Sequence, residues 1–260
     1  MLKTQFIPVA IDQAYQRRQK DTEGEFYRKI AKQSPRKNFN LTTQGLFVAT
    51  SHGALLGFTN NRTSNRVSRM MNQALQQFRR ISAVAPPIKR EKVDARYNPT
   101  PPKGGLVVRA RAQVLGGYEK TTDPWRRIFQ TAISRDNLWV SAKEHQALAR
   151  GEILKSLQER LVRYHLVDNT RGEPPMWRAS EIRTLNMTLK NGKLSGRVHL
   201  QTRDGKRSYR AELLGFVETK GSKVSRFDVV ALGDFKGEGR YTRGAPKGEF
   251  PLAVAFELAD

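Results

Sequence analysis

The stretch RYHLVDNTRGEPPMW, residues 163–177, sets one histidine beside two acids, two arginines and two aromatics, the residue types of a hydrolytic centre. A general base needs a partner within hydrogen-bond reach, so His165 oriented by Asp168 or Glu173 is the chemistry this spacing offers. A plainer reading gives every one of these residues structural work. SLQERLVRYHLV, residues 156–167, ends a helix and passes into a strand, and Asp168-Asn169-Thr170-Arg171-Gly172 forms a turn that Asp168 caps. Glu173 then pairs with Arg171 or Arg178, and Trp177 packs under Pro174-Pro175. On a strand, residues three apart point to opposite faces, which separates His165 from Asp168. The segment therefore reads first as a structural corner, with His165, Asp168 and Glu173 the candidates for catalysis if it is a hydrolase.

Other chemistry is thinly represented. His52 falls in a hairpin turn, His145 on the outer side of a short helix, and His199 on the polar face of a strand, and no two histidines have metal-ligand spacing. Asp234 and Glu238 lie four apart in a glycine-rich loop, a spacing that specifies no acid–base pair. The stretch GDFKGEGRYTRGAPKGEF, residues 233–250, lacks the GK[ST] ending of a phosphate loop and reads as a surface loop. With no cysteine there is no thiol nucleophile, dithiol couple or disulfide within these residues. No cofactor or metal is expected.

What remains is charge. The formal net charge is +23, which attracts phosphate- or sulfate-bearing polymers by counterion release. Residues 1–85 carry 14 basic and 4 acidic side chains, 86–105 carry 5 and 2, and 106–260 carry 28 and 18. Arg62, Arg66, Arg69 and Arg80 share one side of a predicted helix; Arg109 and Arg111 share the outer row of a predicted strand, and Arg197 lies in another such row with His199. These are the candidate polyanion contacts. No regular series of exposed aromatics accompanies them, so no single-strand platform or sequence-reading module is indicated.

The elements that position these residues divide at AVAPPIKREKVDARYNPTPPKGG, residues 83–105, a proline-rich linker between a domain at 1–82 and another at 106–260. In the first domain FIPVAID (6–12) reads as a buried strand and EGEFYRKIAKQ (23–33) as a helix. QGLFVATSHGALLGFTNN (44–61) reads as a hairpin, and a helix follows from Asn65 to Arg80 with Val67, Met70, Met71, Ala74, Leu75 and Phe78 on one face. In the second, GLVVRARAQVLGGY (105–118) alternates as a half-buried strand. Asp123-Pro124-Trp125 opens a helix over RRIFQTAISR, and Ser141 with Glu144 has capping-box spacing. Residues 184–233 read as a meander turning at Asn191-Gly192, Asp204-Gly205 and Lys220-Gly221, and LAVAFEL (252–258) as a last strand.

The order strand, helix, hairpin, helix over residues 4–80 resembles the later part of the thioredoxin fold, with His52-Gly53 at the family's hairpin turn. The second half is similar to the partner domains of exported bacterial thioredoxin-like proteins. The family's first strand and CxxC helix would lie before Met1, and Gln44-Gly45 stands near the position of its cis-proline. The resemblance thus implies a redox-inactive, partial thioredoxin-like unit, or a thiol–disulfide oxidoreductase whose CxxC segment precedes this sequence. The expected fold class is α+β: that partial α/β unit, then a domain with a curved antiparallel sheet and two or three helices. The expected function is a non-enzymatic binding or scaffold role, with recognition carried mainly by the second domain and the basic faces assisting adhesion to an anionic polymer or protein. An uncovered sheet edge favours homo-oligomers. No run reaches the roughly 18 apolar residues of a membrane span. The start MLKTQFIPVAIDQAY lacks the plan of a signal peptide, so the expected location is cytoplasmic, or the cell envelope if a leading segment is missing.

Overall fold

The computed structural model describes residues 2–81 and 100–259, so positions 83–99 of the expected linker lie outside the described residues. The chain divides into two compact units, 1–100 and 101–260.

The first unit runs α1 (Leu2–Gln5), α2 (Gln13–Gln16), α3 (Thr22–Lys32), β1 (Leu46–Ala49), β2 (Leu55–Thr59) and α4 (Ser64–Arg79). Asp21 starts α3 by accepting from the Gly24 N–H at 2.8 Å, with Glu23 and Glu25 in the first turn and Lys29 and Lys32 in the last, as the helix dipole favours. β1 and β2 pair antiparallel around a turn closed by the Gly53 N–H on the Thr50 carbonyl (3.0 Å), where Gly53 takes φ +88°. Tyr27, Ala31, Met71 and Ala74 are the buried apolar side chains described in this unit, and Phe47 packs tilted against Phe58 with ring centroids 4.9 Å apart.

One expected element is absent. Residues 6–12 form no strand; they run irregularly between α1 and α2, with Ile7 91% exposed and Val9 and Ile11 also in solvent. Their alternation fits a strand, but alternation needs a paired neighbour to become one, and Pro8 removes an N–H that a ladder would use.

The second unit contains β3 (Leu106–Val114), α5 (Pro124–Thr131), β4 (Asp136–Val140), α6 (Ala142–Ala149), α7 (Lys155–Arg160) and a π-helical turn at Leu161–His165. A 3₁₀ turn at Ala179–Glu181 then leads into β5 (Ile182–Lys190), β6 (Lys193–Gln201), β7 (Ser208–Lys220), β8 (Lys223–Lys236) and β9 (Glu249–Leu258). The strands form one antiparallel sheet in the order β4-β3-β9-β8-β7-β6-β5, curled into a half-barrel. The protein is therefore α+β. The meander turns fall where Asn-Gly and Asp-Gly place them, with Asn191 and Gly192 both at positive φ.

β3 buries Val108, Ala110, Ala112 and Val114 and turns Arg109, Arg111 and Gln113 outward, as its alternation requires. The last strand, β9, inserts between β3 and β8, so the two ends of the unit close the middle of the sheet. The concave side packs α6 on β7 and β8 and collects Trp177, Tyr209, Phe227, Phe235, Phe250 and Phe256 into one core. β4 is the strand that the sequence pattern does not announce: DNLWV is five residues long and sits between two helices.

Candidate functional site

Residues 163–177 are a corner, built differently from the sequence expectation. No strand follows α7; the helix widens into the π turn, which carries His165 inward instead of along a ladder. Asp168 accepts from the Thr170 hydroxyl (2.6 Å) and N–H (3.2 Å) and forms a buried ion pair with Arg171. Arg171 also donates to the Tyr118 hydroxyl (2.6 Å) and the Thr242 carbonyl (3.3 Å), locking the corner to the 237–248 loop. Burial pushes the Tyr118 phenol up despite Arg171 beside it. Trp177 is fully enclosed, donates from Nε1 to the Leu166 carbonyl (2.7 Å), and carries the Arg207 guanidinium 3.9 Å above its ring. Glu173 is exposed, and Arg171 takes Asp168 in its place as partner.

The partner of His165 is Asp136, not Asp168. Nδ1 lies 2.9 Å from the Asp136 carboxylate, a distance for ion pairing, although the oxygen sits off the N–H direction of a well-formed hydrogen bond. Burial works to raise the Asp136 carboxyl, but His165 and the Asn137 N–H at 2.7 Å together outweigh it and hold it below its ordinary value. Ser134 and Asn169 complete the surroundings, giving a serine, a histidine and an aspartate within one wall. The space among them does not admit a water molecule, and the Ser134 hydroxyl oxygen accepts from the Ala112 N–H at 2.8 Å. The arrangement ties the π turn to β4 and leaves no room for a substrate. Its signal in the sequence was unreadable, since Asp136 stands 29 positions from His165 on a strand the pattern hides.

The other histidines differ from a solvated set. His145 Nδ1 donates to the Gly104 carbonyl (3.0 Å) and Nε2 accepts from the Val224 N–H (3.1 Å), so the neutral ring bridges α6 to the start of β3 and of β8. His199 lies between Arg183 and Arg210; burial first, and then these two cations, hold its ring below the usual imidazole range. Among the described residues no cluster of three or more histidines and acids could hold a metal.

The arginine rows separate into two kinds. On the outer face of the sheet Arg111 pairs with Glu257 at 2.6 Å and Arg197 with Glu212 at 3.1 Å, while Arg109 lies directly opposite Glu257 in register. Arg111 and Arg197 are thus each matched by an acid on the neighbouring strand, while Arg183 and Arg210 keep positive charge beside His199. In the first unit Arg66 and Arg69 project from α4 and Arg62 precedes its Thr63 cap; Arg80 caps the other end, about 20 Å further along at 1.5 Å per residue. The ridge is thus two clusters separated by neutral Asn72, Gln73, Gln76 and Gln77, and among the described residues none of these four arginines is in an ion pair.

The four acids of residues 1–85 all stand at or before Glu25, so residues 26–81 hold ten basic side chains and no acidic one. Five of the ten, Arg28, Lys29, Lys32, Arg36 and Lys37, lie on or after α3. Lys29, Lys32, Gln33 and His52 border a shallow hollow of about 370 Å³, in which Lys29 donates to the His52 carbonyl at 2.8 Å. The acids nearest in sequence, Glu23 and Glu25, stand in the first turn of α3, and residues 26–81 add none.

No protein-family model, no curated protein and no solved structure matches this chain.

Proposed function

We propose that this protein is a non-enzymatic binding protein for a phosphate- or sulfate-bearing polyanion, with the contact surface in its first unit. The observation that carries this reading is the acid-free run 26–81, whose Arg62, Arg66 and Arg69 are in no ion pair among the described residues while Arg111 and Arg197 of the second unit are paired. Arginine suits the task because its planar fork holds oxyanions in two hydrogen bonds. The span of about 20 Å from Arg66 to Arg80 matches some six phosphates of a strand at about 3.4 Å each, a repeating polymer rather than a small anion. The helix, hairpin and helix of residues 22–79 support reading this unit as thioredoxin-like, whereas the irregular course of 6–12 weighs against the strand that reading needs. A thiol–disulfide activity would rest wholly on residues outside this sequence, which contains no cysteine.

Heparin and duplex DNA affinity, measured against salt, tests the proposal. Loss of three phosphate contacts in the combined Arg62→Glu, Arg66→Glu and Arg69→Glu variant should flatten the log–log salt slope on DNA by roughly 3. An unchanged slope and affinity would remove α4 as the contact surface.

A further inference from the structure

Helix α5 is ordered without burying any of its residues. Short helices are not stable alone, and this one is held by its ends. Asp123 caps it through the Trp125 N–H (2.8 Å), Gln130 donates to the Glu119 carbonyl (2.9 Å), and Ser134 exchanges hydrogen bonds with Ala112 of β3 at 2.9 and 2.8 Å. Held in this way, it turns a stripe outward: Trp125 is 65% exposed, Ile128 54% and Phe129 37%, at i, i+3 and i+4, with Ile133 57% exposed just beyond.

The charges around the stripe are one-sided. Each acid from 119 to 136 is engaged, Glu119 with Lys247 at 2.9 Å, Asp123 in the cap and Asp136 with His165. Lys120, Arg126, Arg127 and Arg135 are exposed, and among the described residues none is in a close ion pair, Arg126 acting on Glu119 only at longer range.

We propose that α5 is an interfacial helix that seats this protein on an anionic lipid surface, with Trp125, Ile128 and Phe129 entering the boundary between headgroups and acyl chains and the neighbouring cations meeting lipid phosphates. A soluble polyanion gives the apolar stripe nothing to do. A protein interface of ordinary size takes roughly 20–30 residues from each side, far more than this single short helix presents. A bilayer suits both features, because reversible membrane attachment needs an apolar insertion together with a basic surface. Trp and Phe are the side chains that settle at that boundary. No helix of the described residues is long and apolar enough to cross a membrane, so the attachment is to one face.

The test uses the whole chain with vesicles of phosphatidylcholine alone and vesicles that also contain phosphatidylglycerol. Of the three tryptophans, Trp177 is enclosed and Trp139 half-buried, so the part of the emission change that is lost in Trp125→Phe reports Trp125. Phosphatidylglycerol vesicles should sediment the protein, shift its emission to the blue and bring it within reach of brominated acyl chains. The Ile128→Ser/Phe129→Ser variant should partition at least about tenfold less. Arg126→Gln and Arg127→Gln should each cost about fivefold on the anionic vesicles alone. Neither substitution touches the core, and unchanged near-ultraviolet circular dichroism confirms the fold. Absence of vesicle binding overturns the proposal. So does binding without an emission shift that the Ile128→Ser/Phe129→Ser variant retains, since basic attraction alone would then account for it. An emission shift on heparin without vesicle binding also overturns it, in favour of a soluble partner. The heparin affinity of the Arg62, Arg66 and Arg69 variant is read separately, so failure of either proposal is visible without the other.

Discussion

Glu144 shows how much a single carboxylate can acquire from the fold. Its capping box with Ser141 is present, the Ser141 N–H donating to the carboxylate at 2.9 Å and the Glu144 N–H to the Ser141 hydroxyl oxygen at 3.3 Å, and the Ser141 hydroxyl adds a bond to the carboxylate at 2.9 Å. The fold adds Ser156 at 2.7 Å and an ion pair with Arg160. Burial alone would raise this carboxyl, but the donors and the guanidinium overcome it and hold it at about 2. A depressed folded value means that the contribution is complete above about pH 4.5 and is lost as pH falls toward 2, about 3 kcal/mol at most and less once solvent screening is counted. Denaturant titrations of wild type and Glu144→Gln should therefore converge in that window; parallel pH profiles would show that Glu144 is not the group responsible. The capping box was legible because its members are three apart. Ser156 and Arg160, 12 and 16 positions away, come to Glu144 only when α7 folds back beside α6.

At the scale of elements, the half-barrel depends on close approach between β7 and β8. A Cβ on Gly233 would overlap the Arg210 carbonyl, and one on Gly215 would overlap that of Asp228. Glycine lets neighbouring strands cross tightly enough for the sheet to curl around Tyr209 and Phe235. Gly233→Val should lower stability by about 2 kcal/mol or more, as overpacking in a core does, whereas the outward Leu232→Thr beside it should cost far less. Equal losses in thermal denaturation would contradict this account. The strands themselves were readable from alternation and from their Asn-Gly and Asp-Gly turns. β4 was not, because a five-residue strand between helices carries too little period, and its absence from the pattern hid Asp136 as the partner of His165.

For the whole molecule, the two units differ in how much they enclose. The second has a continuous core of aromatic and aliphatic side chains, while the first has Tyr27, Ala31, Met71 and Ala74 as its buried apolar side chains among the described residues. Opening free energy follows buried apolar contact, so amide exchange should be faster throughout α3, β1, β2 and α4 than in β6–β9. Equal protection in both units would mean that the first is stabilised by contacts outside its own core. A thin core under a dense positive charge also fits a binding unit that gains stability from its ligand, and heparin should slow exchange there selectively.

The amino-acid order by itself determined the antiparallel meander, the capped helices, the lack of thiol chemistry and the excess of positive charge. Each depends on neighbours a few residues apart or on composition alone. Tertiary structure decided which of those features were available. It paired Arg111 and Arg197 with acids on adjacent strands and, among the described residues, left Arg62, Arg66 and Arg69 without such partners. It sealed His165 against Asp136, left residues 6–12 unpaired in solvent, and turned the apolar side of α5 outward. The physical reason is common to all four: burial and ion pairing are set by residues distant in sequence, and only the closed chain brings those together or keeps them apart.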